Sequence, residues 1–315
     1  MNENGSSYRK WIEVIKGLGS VIALIILILV MSIALPPFRT VNNVMLLLRQ
    51  ASINGLLAFG MTCVILTGGI DLSVGSTLAL TSILAALMLV AGVPELAMIP
   101  LMLLSGLALG SINGLLITKL RLQPFIATLI GMAVFRGFAL IFSEGRPISG
   151  LSGPVLEAFG RGFFLRIPIP VWILGFMFCI FFFVLNKTTL GRRIYAVGSN
   201  STAAQLAGVS ITKTKMFVYA ISGLMASMGG LILLSRLGSA QPTLGTGFEL
   251  DAIAAVALGG TSMSGGRGQI YGTVAGVLII AILSNGLNIM GVPSFWQDVV
   301  KGVVILLAVL SDPNR

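Results

Sequence analysis

Residues 187–215 read KTTLGRRIYAVGSNSTAAQLAGVSITKTK and form the one substantial polar stretch of the chain. The stretch carries five basic residues and no Asp or Glu, and it separates the apolar runs 171–185 and 216–234. Because basic residues concentrate in cytoplasmic loops of membrane proteins, this stretch predicts which side of the membrane is the cytosol. The fold is therefore expected to be organised around a cytoplasmic loop between two membrane spans.

A short helix is predicted inside this loop. Residues 199–202 (SNST) offer several N-caps, and Thr202 with Gln205 has the spacing of a capping box. Gly208 is well placed to end the helix in a left-handed conformation. The small apolar face at positions i, i+3 and i+4 consists of Ala203, Leu206 and Ala207. Two interpretations remain open, a helix that docks in a partner protein and a solvated cytoplasmic turn.

The composition excludes a soluble globular protein. The chain has 315 residues, 56% hydrophobic content and a mean hydropathy of +1.01. Apolar runs long enough to cross the hydrocarbon core recur along it. It contains no His, and its two cysteines lie alone in apolar runs, which argues against a disulfide framework and a zinc site. The net charge of +10 comes mostly from short loops, where basic residues set orientation and do not indicate nucleic-acid binding.

The hydropathy pattern predicts an all-α polytopic membrane protein with ten spans. The spans are 18–35, 51–67, 75–91, 98–118, 124–143, 171–186, 216–235, 251–263, 270–290 and 297–311. The predicted division is a cytoplasmic segment 1–17, a transmembrane domain 18–311 and a cytoplasmic tail 312–315. The first run resembles a signal peptide, but its length and the following prolines favour an uncleaved span.

The distribution of basic residues predicts that both termini are cytoplasmic. With the N-terminus inside, the inner loops hold twelve Lys and Arg residues and the outer loops hold six. This twofold bias has the sign that the positive-inside rule requires. The largest outer loop is then 144–170, and 187–215 lies between spans six and seven.

Two glycine-rich segments share the pattern Gly-Gly-x-x-x-Ser-x-Gly. They are residues 68–75 (GGIDLSVG) and 259–266 (GGTSMSGG), and each follows one apolar span and precedes another. Gly-interrupted segments in matching positions indicate an internal repeat whose broken helices line a transport pathway. The alternative is a pair of ordinary glycine-rich turns.

Polar residues inside apolar spans are costly and are therefore candidates for the pathway. The predicted pathway residues are Asn54, Gly68, Gly69, Asp71, Ser73, Gly259, Gly260, Ser264 and Asn285. An Asn-Gly-Leu triplet begins at Asn54, Asn113 and Asn285, and at least two of these are expected to hydrogen-bond neighbouring helices. Asp71, predicted at the cytosolic membrane edge, could instead cap the next helix, and Asp298 could pair with Lys301.

The outer loop 144–170 contains more basic than acidic residues, against the orientation bias. Arg146, Arg161 and Arg166 are the candidates for docking an acidic partner by electrostatic steering. A solvated loop is the alternative. A short helix is predicted over residues 155–159.

The sequence lacks the usual signatures of enzymatic chemistry. No Gly-x-x-x-x-Gly-Lys-Ser/Thr phosphate loop occurs, and without His no Ser–His or acid–His pair can form. We therefore predict no catalytic residues and no metal site.

Several long strings resemble the permease subunits of bacterial sugar-importing ABC transporters, and most closely the ribose type. They are residues 67–76 (TGGIDLSVGS), 190–193 (LGRR), 198–208 (GSNSTAAQLAG), 240–243 (AQPT), 245–256 (GTGFELDAIAAV) and 258–262 (LGGTS). The resemblance extends over nearly all of residues 38–312.

This resemblance implies a homodimeric permease in the bacterial inner membrane that transports a simple sugar. Its partners would be a second copy, a periplasmic or lipid-anchored sugar-binding protein and a cytosolic ATPase, which would bind ATP and Mg; the chain would need no cofactor or nucleic acid. The coupling helix would fall in residues 187–215, with Gly198, Asn200, Ala203, Ala204, Leu206 and Gly208 as docking element.

Other substrates and mechanisms stay open at this point. Relatives for other pentoses, hexoses and a furanosyl signalling molecule share most of these strings. An ion-coupled secondary transporter is the alternative class, although no clear acidic or His relay is apparent in the spans. A non-transporting scaffold would not explain the many Gly-broken segments.

Overall fold

The computed structural model describes the backbone of residues 3–310 and the side chains of residues 19–304 and 306. Within this part the chain forms thirteen α-helices. The first six are α1 (Glu3–Ala34), α2 (Val41–Leu66), α3 (Val74–Val90), α4 (Glu95–Thr118), α5 (Pro124–Phe142) and α6 (Pro154–Arg161). The others are α7 (Ile169–Lys187), α8 (Thr189–Ser199), α9 (Ser201–Leu206), α10 (Ile211–Leu237), α11 (Phe248–Leu258), α12 (Ile270–Ile289) and α13 (Ser294–Leu310).

The structure confirms a polytopic helical membrane protein. Each of the ten predicted segments lies largely on one helix. Six helices, namely α2, α4, α5, α7, α10 and α12, are long and apolar enough to cross a membrane. Two shorter apolar stretches, Gly19–Ala34 and Val74–Val90, accompany them. The predicted tail 312–315 lies outside the described residues.

The segment 144–170, predicted to be an outer loop, contains more regular structure than the sequence predicted. The strands β1 (Ile148–Ser149) and β4 (Ser239–Ala240) pair antiparallel, and β2 (Phe163–Phe164) forms a hairpin with β3 (Ile167–Pro168). The predicted helix at 155–159 is α6, and Gly160 of α6 donates its backbone N–H to Ser235 of α10 at 2.7 Å. The loop is therefore attached to the end of α10.

Glycine stripes bring two helix pairs into backbone contact. In α4, Gly106, Gly110 and Gly114 face α10 so closely that a Cβ at any of them would press on backbone or Ser227 atoms. Gly272 and Gly276 of α12 approach the backbone of α11 in the same way. Small residues at a four-residue spacing let helices approach in this way where lipid supplies no hydrophobic driving force.

An ion pair joins α11 to α13. Lys301 Nζ lies 3.0 Å from one carboxylate oxygen of Asp251 and 3.1 Å from the other, with both side chains largely buried. The predicted local pairing of Lys301 with Asp298 is therefore wrong. Asp298 has the i, i+3 spacing that would allow an ion pair with Lys301, but the acid that pairs with Lys301 is Asp251. Removing one partner of such a pair typically costs about 3–5 kcal/mol, because an uncompensated charge stays buried.

Candidate functional site

The polar loop folds into two consecutive helices, α8 and α9. Thr188 caps α8 by accepting the N–H of Gly191 at 3.2 Å, and Asn200 caps α9 by accepting the N–H of Ala203 at 2.9 Å. Gly208 follows α9 with φ +82°, the left-handed conformation predicted for it. The predicted capping box at Thr202 is wrong, because the N-cap of α9 is Asn200. The helix α8 was not predicted from the sequence.

Side-chain exposure divides the six predicted coupling residues. Leu206 is 86% exposed and Ala203 is also exposed, whereas Ala204 is only 5% exposed. Asn200 and Gly208 shape the two ends of α9. Every residue of α9 except Ala204 is exposed, so the predicted face of Ala203, Leu206 and Ala207 is accessible while Ala204 packs inward.

The sixth predicted coupling residue, Gly198, lies against the end of α2 and the second glycine segment. A Cβ at Gly198 would overlap the carbonyl oxygen of Leu66 and would stand 2.6 Å from the backbone nitrogen of Gly266. Gly266 N itself donates to Leu66 O at 3.0 Å. A Cβ at Gly265 would lie 2.8 Å from Gly68 N. We call Gly68, Gly198, Gly265 and Gly266 the glycine junction, where α8, the end of α2 and the turn before α12 meet.

Two polar side chains of α8 strengthen the junction. The Tyr195 hydroxyl donates to the carbonyl of Gly268 at 2.8 Å, and the Ser199 hydroxyl approaches the carbonyl of Gly266 at 3.4 Å. Burial raises the pKa of the Tyr195 phenol, so it stays a neutral donor at physiological pH. Nothing in the sequence pattern singled out Tyr195, because its partner lies 73 residues away.

The first glycine segment is held by a buried network around Asp71. Asp71 accepts the backbone N–H of Ser73 at 3.0 Å, its hydroxyl at 2.6 Å and the hydroxyl of Ser222 at 2.7 Å. Ser222 lies eleven residues after the start of α10, which places the turn about 16 Å along that helix axis. Asp71 therefore packs against the middle of α10. Ser73, not Asp71, is the N-cap of α3, so the capping alternative for Asp71 is wrong, and its part in the pathway stays a prediction.

Two of the three Asn-Gly-Leu asparagines bond neighbouring elements, as expected. Asn113 Nδ2 donates to the Ser73 hydroxyl at 2.7 Å. Asn285 and Asn43 exchange two amide hydrogen bonds of 2.8 and 2.9 Å between α12 and α2. The buried Oδ1 atoms of Asn54 and Asn113 have no hydrogen-bond partner among the described residues.

The second glycine segment closes against helices α11 and α12. Gly259 lies against the backbone of Gly272, and Gly260 has φ +79°. The carbonyl of Ser264 is the nearest group to the Cβ position of Gly68, at 3.8 Å. The two segments that share a sequence pattern are therefore neighbours in space.

An unwound stretch before α11 was not predicted from the sequence. Arg136 of α5 donates to the carbonyls of Pro242 and Leu244 at 2.6 and 2.7 Å. A Cβ at Gly75 would collide with the carbonyl of Gly245. Irregular backbone between spans is tolerated at membrane depth when it is buried in protein, and here Arg136 supplies the donors that the helix would have supplied.

The three arginines predicted to dock a partner, all in segment 144–170, differ in their surroundings. Arg161 donates from Nε to the carbonyl of Arg236 at 3.2 Å and lies 4.0 Å from Glu157. Arg146 and Arg166 are exposed, and Arg166 shares a groove with Arg49. Arg161 thus has a role inside the fold, while Arg146 and Arg166 remain available to a partner.

Comparison with known proteins places this chain among transport proteins. Residues 43–309 match the family described as branched-chain amino acid transport system / permease component. The ribose import permease protein of Bacillus subtilis (strain 168) is 55% identical over 303 residues, covering 96% of this chain and 94% of that protein. The ribose import permease protein of Escherichia coli (strain K12) is 49% identical over 299 residues, covering 94% and 93%. That of Haemophilus influenzae (strain Rd) is 48% identical over 296 residues, covering 93% and 92%. No solved structure matches.

Proposed function

The chain belongs to the family of permease components of the branched-chain amino acid transport system type, and on that premise we propose that it forms the pathway for D-ribose in an ABC importer. The observation that carries this proposal is the high identity to ribose import permeases along nearly the whole chain. The chain is a multi-pass transport subunit of the bacterial inner membrane and not an enzyme.

The ten spans cross the membrane with both termini in the cytosol. Two sets of contacts support this topology. Segment 187–215 meets the end of α2 and the turn before α12, whereas segment 144–170 meets the end of α10 and β4. These contacts lie at opposite ends of α2 and α10, as loops on opposite sides of the membrane require.

Three protein partners complete the importer: a second copy of the chain, a binding protein and an ATPase. Two copies of the chain form the pathway within the lipid bilayer, a binding protein delivers the sugar to the outer face, and a cytosolic ATPase binds ATP and Mg. Arg146 and Arg166 are the outer cations open to an acidic surface of the binding protein. Leu206 and Ala203 are the cytosolic contacts for the ATPase.

The glycine junction transmits ATPase motion to the pathway. Gly198 touches Gly266 of the second segment and Leu66, which lies two residues before the first segment, so displacement of α8 and α9 acts on both segments. These segments begin α3 and precede α12, so one motion at the cytosolic face shifts helices in both halves. No cofactor of the chain itself takes part.

The surroundings of the buried acids argue against an ion-coupled transporter. Asp71 is engaged by serine hydroxyls, and Asp251 is paired with Lys301. A proton- or sodium-coupled site needs an acid that can release and regain its cation. Neither arrangement offers one without breaking the packing of the fold.

Sugar selectivity tests the substrate assignment. In cells that lack their own ribose permease, co-expression of this chain with its binding protein and ATPase should restore uptake of labelled ribose. Unlabelled ribose in hundredfold excess should suppress the signal, whereas xylose, which differs from ribose in the configuration at C3, and allose should compete weakly. Complete competition by xylose or allose, together with weak competition by ribose, would assign the pathway to another sugar.

A further inference from the structure

A groove with two basic residues lies beside α9, on the same side of the protein. It is formed by the end of α4, the turn that follows it, and the connection from α9 to α10. The groove has a volume of about 490 Å³. Its polar walls come from Thr118, Arg121, Gln205, Ser210, Thr212 and Lys215. No Asp or Glu lines it.

Two cations of this groove lack anionic partners. Neither Arg121 nor Lys215 has an ion pair or a hydrogen bond from its side chain among residues 19–304. Lys215 is half-buried, so part of its hydration is already lost without a compensating charge. Arg121 holds a left-handed backbone at φ +56°, which is uncommon for a residue with a long side chain. An anion in the groove would satisfy both cations.

We propose that this groove receives an acidic side chain of the cytosolic ATPase subunit, as a second contact beside α9. The inference rests on the proposed function. The groove is continuous with the proposed ATPase contact on α9. Gln205 lines the groove, and the next residue, Leu206, is the exposed apolar side chain of the same helix. More than half of the lining residues are polar, and residues 209–212 contribute to the lining. The acyl chain of a lipid would bind better to an apolar groove. One partner surface can therefore place an apolar pocket on Leu206 and a carboxylate between Arg121 and Lys215.

Affinity measured at two salt concentrations tests this contact. The purified permease in nanodiscs would be titrated with its ATPase, comparing wild type with the double variant Arg121→Gln, Lys215→Gln. The double variant should bind about tenfold more weakly at 50 mM KCl. At 500 mM KCl the difference should shrink to less than about twofold, because salt screens exposed charge pairs. The matched control Arg192→Gln, Arg193→Gln removes the same net charge from the exposed surface of α8 and should stay within about twofold of wild type.

The other outcomes separate the alternatives. An equal loss in the Arg192, Arg193 control would mean a general electrostatic attraction and overturn the groove contact. A loss seen in discs with anionic phosphatidylglycerol but absent in pure phosphatidylcholine discs would assign the groove to a lipid headgroup. If Leu206→Ala weakens binding while the groove variant does not, the groove inference is wrong and the importer stands. If the wild-type permease binds no ATPase at all, both proposals fail together.

Discussion

Leu206→Asp is expected to lower ATP-driven ribose uptake about 100-fold. The substitution removes an apolar side chain whose burial at an interface is worth about 1.5–3 kcal/mol and places a charge in the same pocket. Since each 1.4 kcal/mol changes an affinity about tenfold, capture of the ATPase should fall by a similar factor. The 86% exposure of Leu206 means that the fold of the permease itself should be unaffected. Pull-down of the ATPase and uptake into proteoliposomes measure the two effects.

Ser201→Asp is the matched control for this experiment. Ser201 is exposed on the same helix but lies about 140° around its axis from Leu206, at about 100° per residue. A new carboxylate at the start of α9 is also compatible with the helix dipole. Uptake within about threefold of wild type is expected. Normal ATPase capture by Leu206→Asp would remove α9 from the interface.

Gly198→Ala is expected to lower ribose uptake at least about tenfold while ATPase capture falls less than about twofold. The added methyl group would meet the carbonyl of Leu66 and the backbone nitrogen of Gly266, and neither backbone atom can rotate away. Overpacking of this kind typically costs about 1–3 kcal/mol, so α8 must shift and the junction must open. Because Leu206 is untouched, the ATPase should still bind and hydrolyse ATP. The readout is the ratio of ribose transported to ATP hydrolysed.

Gly137→Ala provides the control, since a Cβ at that helical glycine meets nothing within 4 Å. It should transport like wild type.

Tyr195→Phe is the milder test of the junction, because it removes one hydrogen bond to Gly268 and adds no volume. We expect it to lower the transport ratio about two- to tenfold, in line with the 0.5–1.5 kcal/mol of a typical hydrogen bond. Unchanged transport ratios in both Gly198→Ala and Tyr195→Phe would exclude the junction as the coupling route.

Local pattern was sufficient to predict α9 and its exposed face. The spacing of Ala203, Leu206 and Ala207 described one side of a helix, and Gly208 marked its end. The pattern could not tell that Ala204 points inward, because alanine suits a water-exposed and a packed position equally well. An Ala204→Glu variant would therefore strain the fold as well as the interface, and Leu206 is the better test.

Contacts between distant parts of the chain were harder to predict from the sequence. The two glycine segments could be paired by their shared pattern, but their contact with Gly198 depends on how α2, α8 and α12 pack. The partner of Lys301 was assigned to Asp298 by proximity in sequence, whereas Asp251 lies 50 residues away. The hydrogen bond from Ser222 to Asp71 is likewise a contact that no local rule predicts.

The most direct test of the importer is uptake of labelled ribose into proteoliposomes that contain this chain. The binding protein would be supplied at the binding face, the ATPase at the opposite face and ATP on the ATPase side, with each component omitted in turn. We predict accumulation with all components present and none when the binding protein, the ATPase or ATP is missing. Ribose accumulation by the chain alone along a proton or sodium gradient would contradict the account.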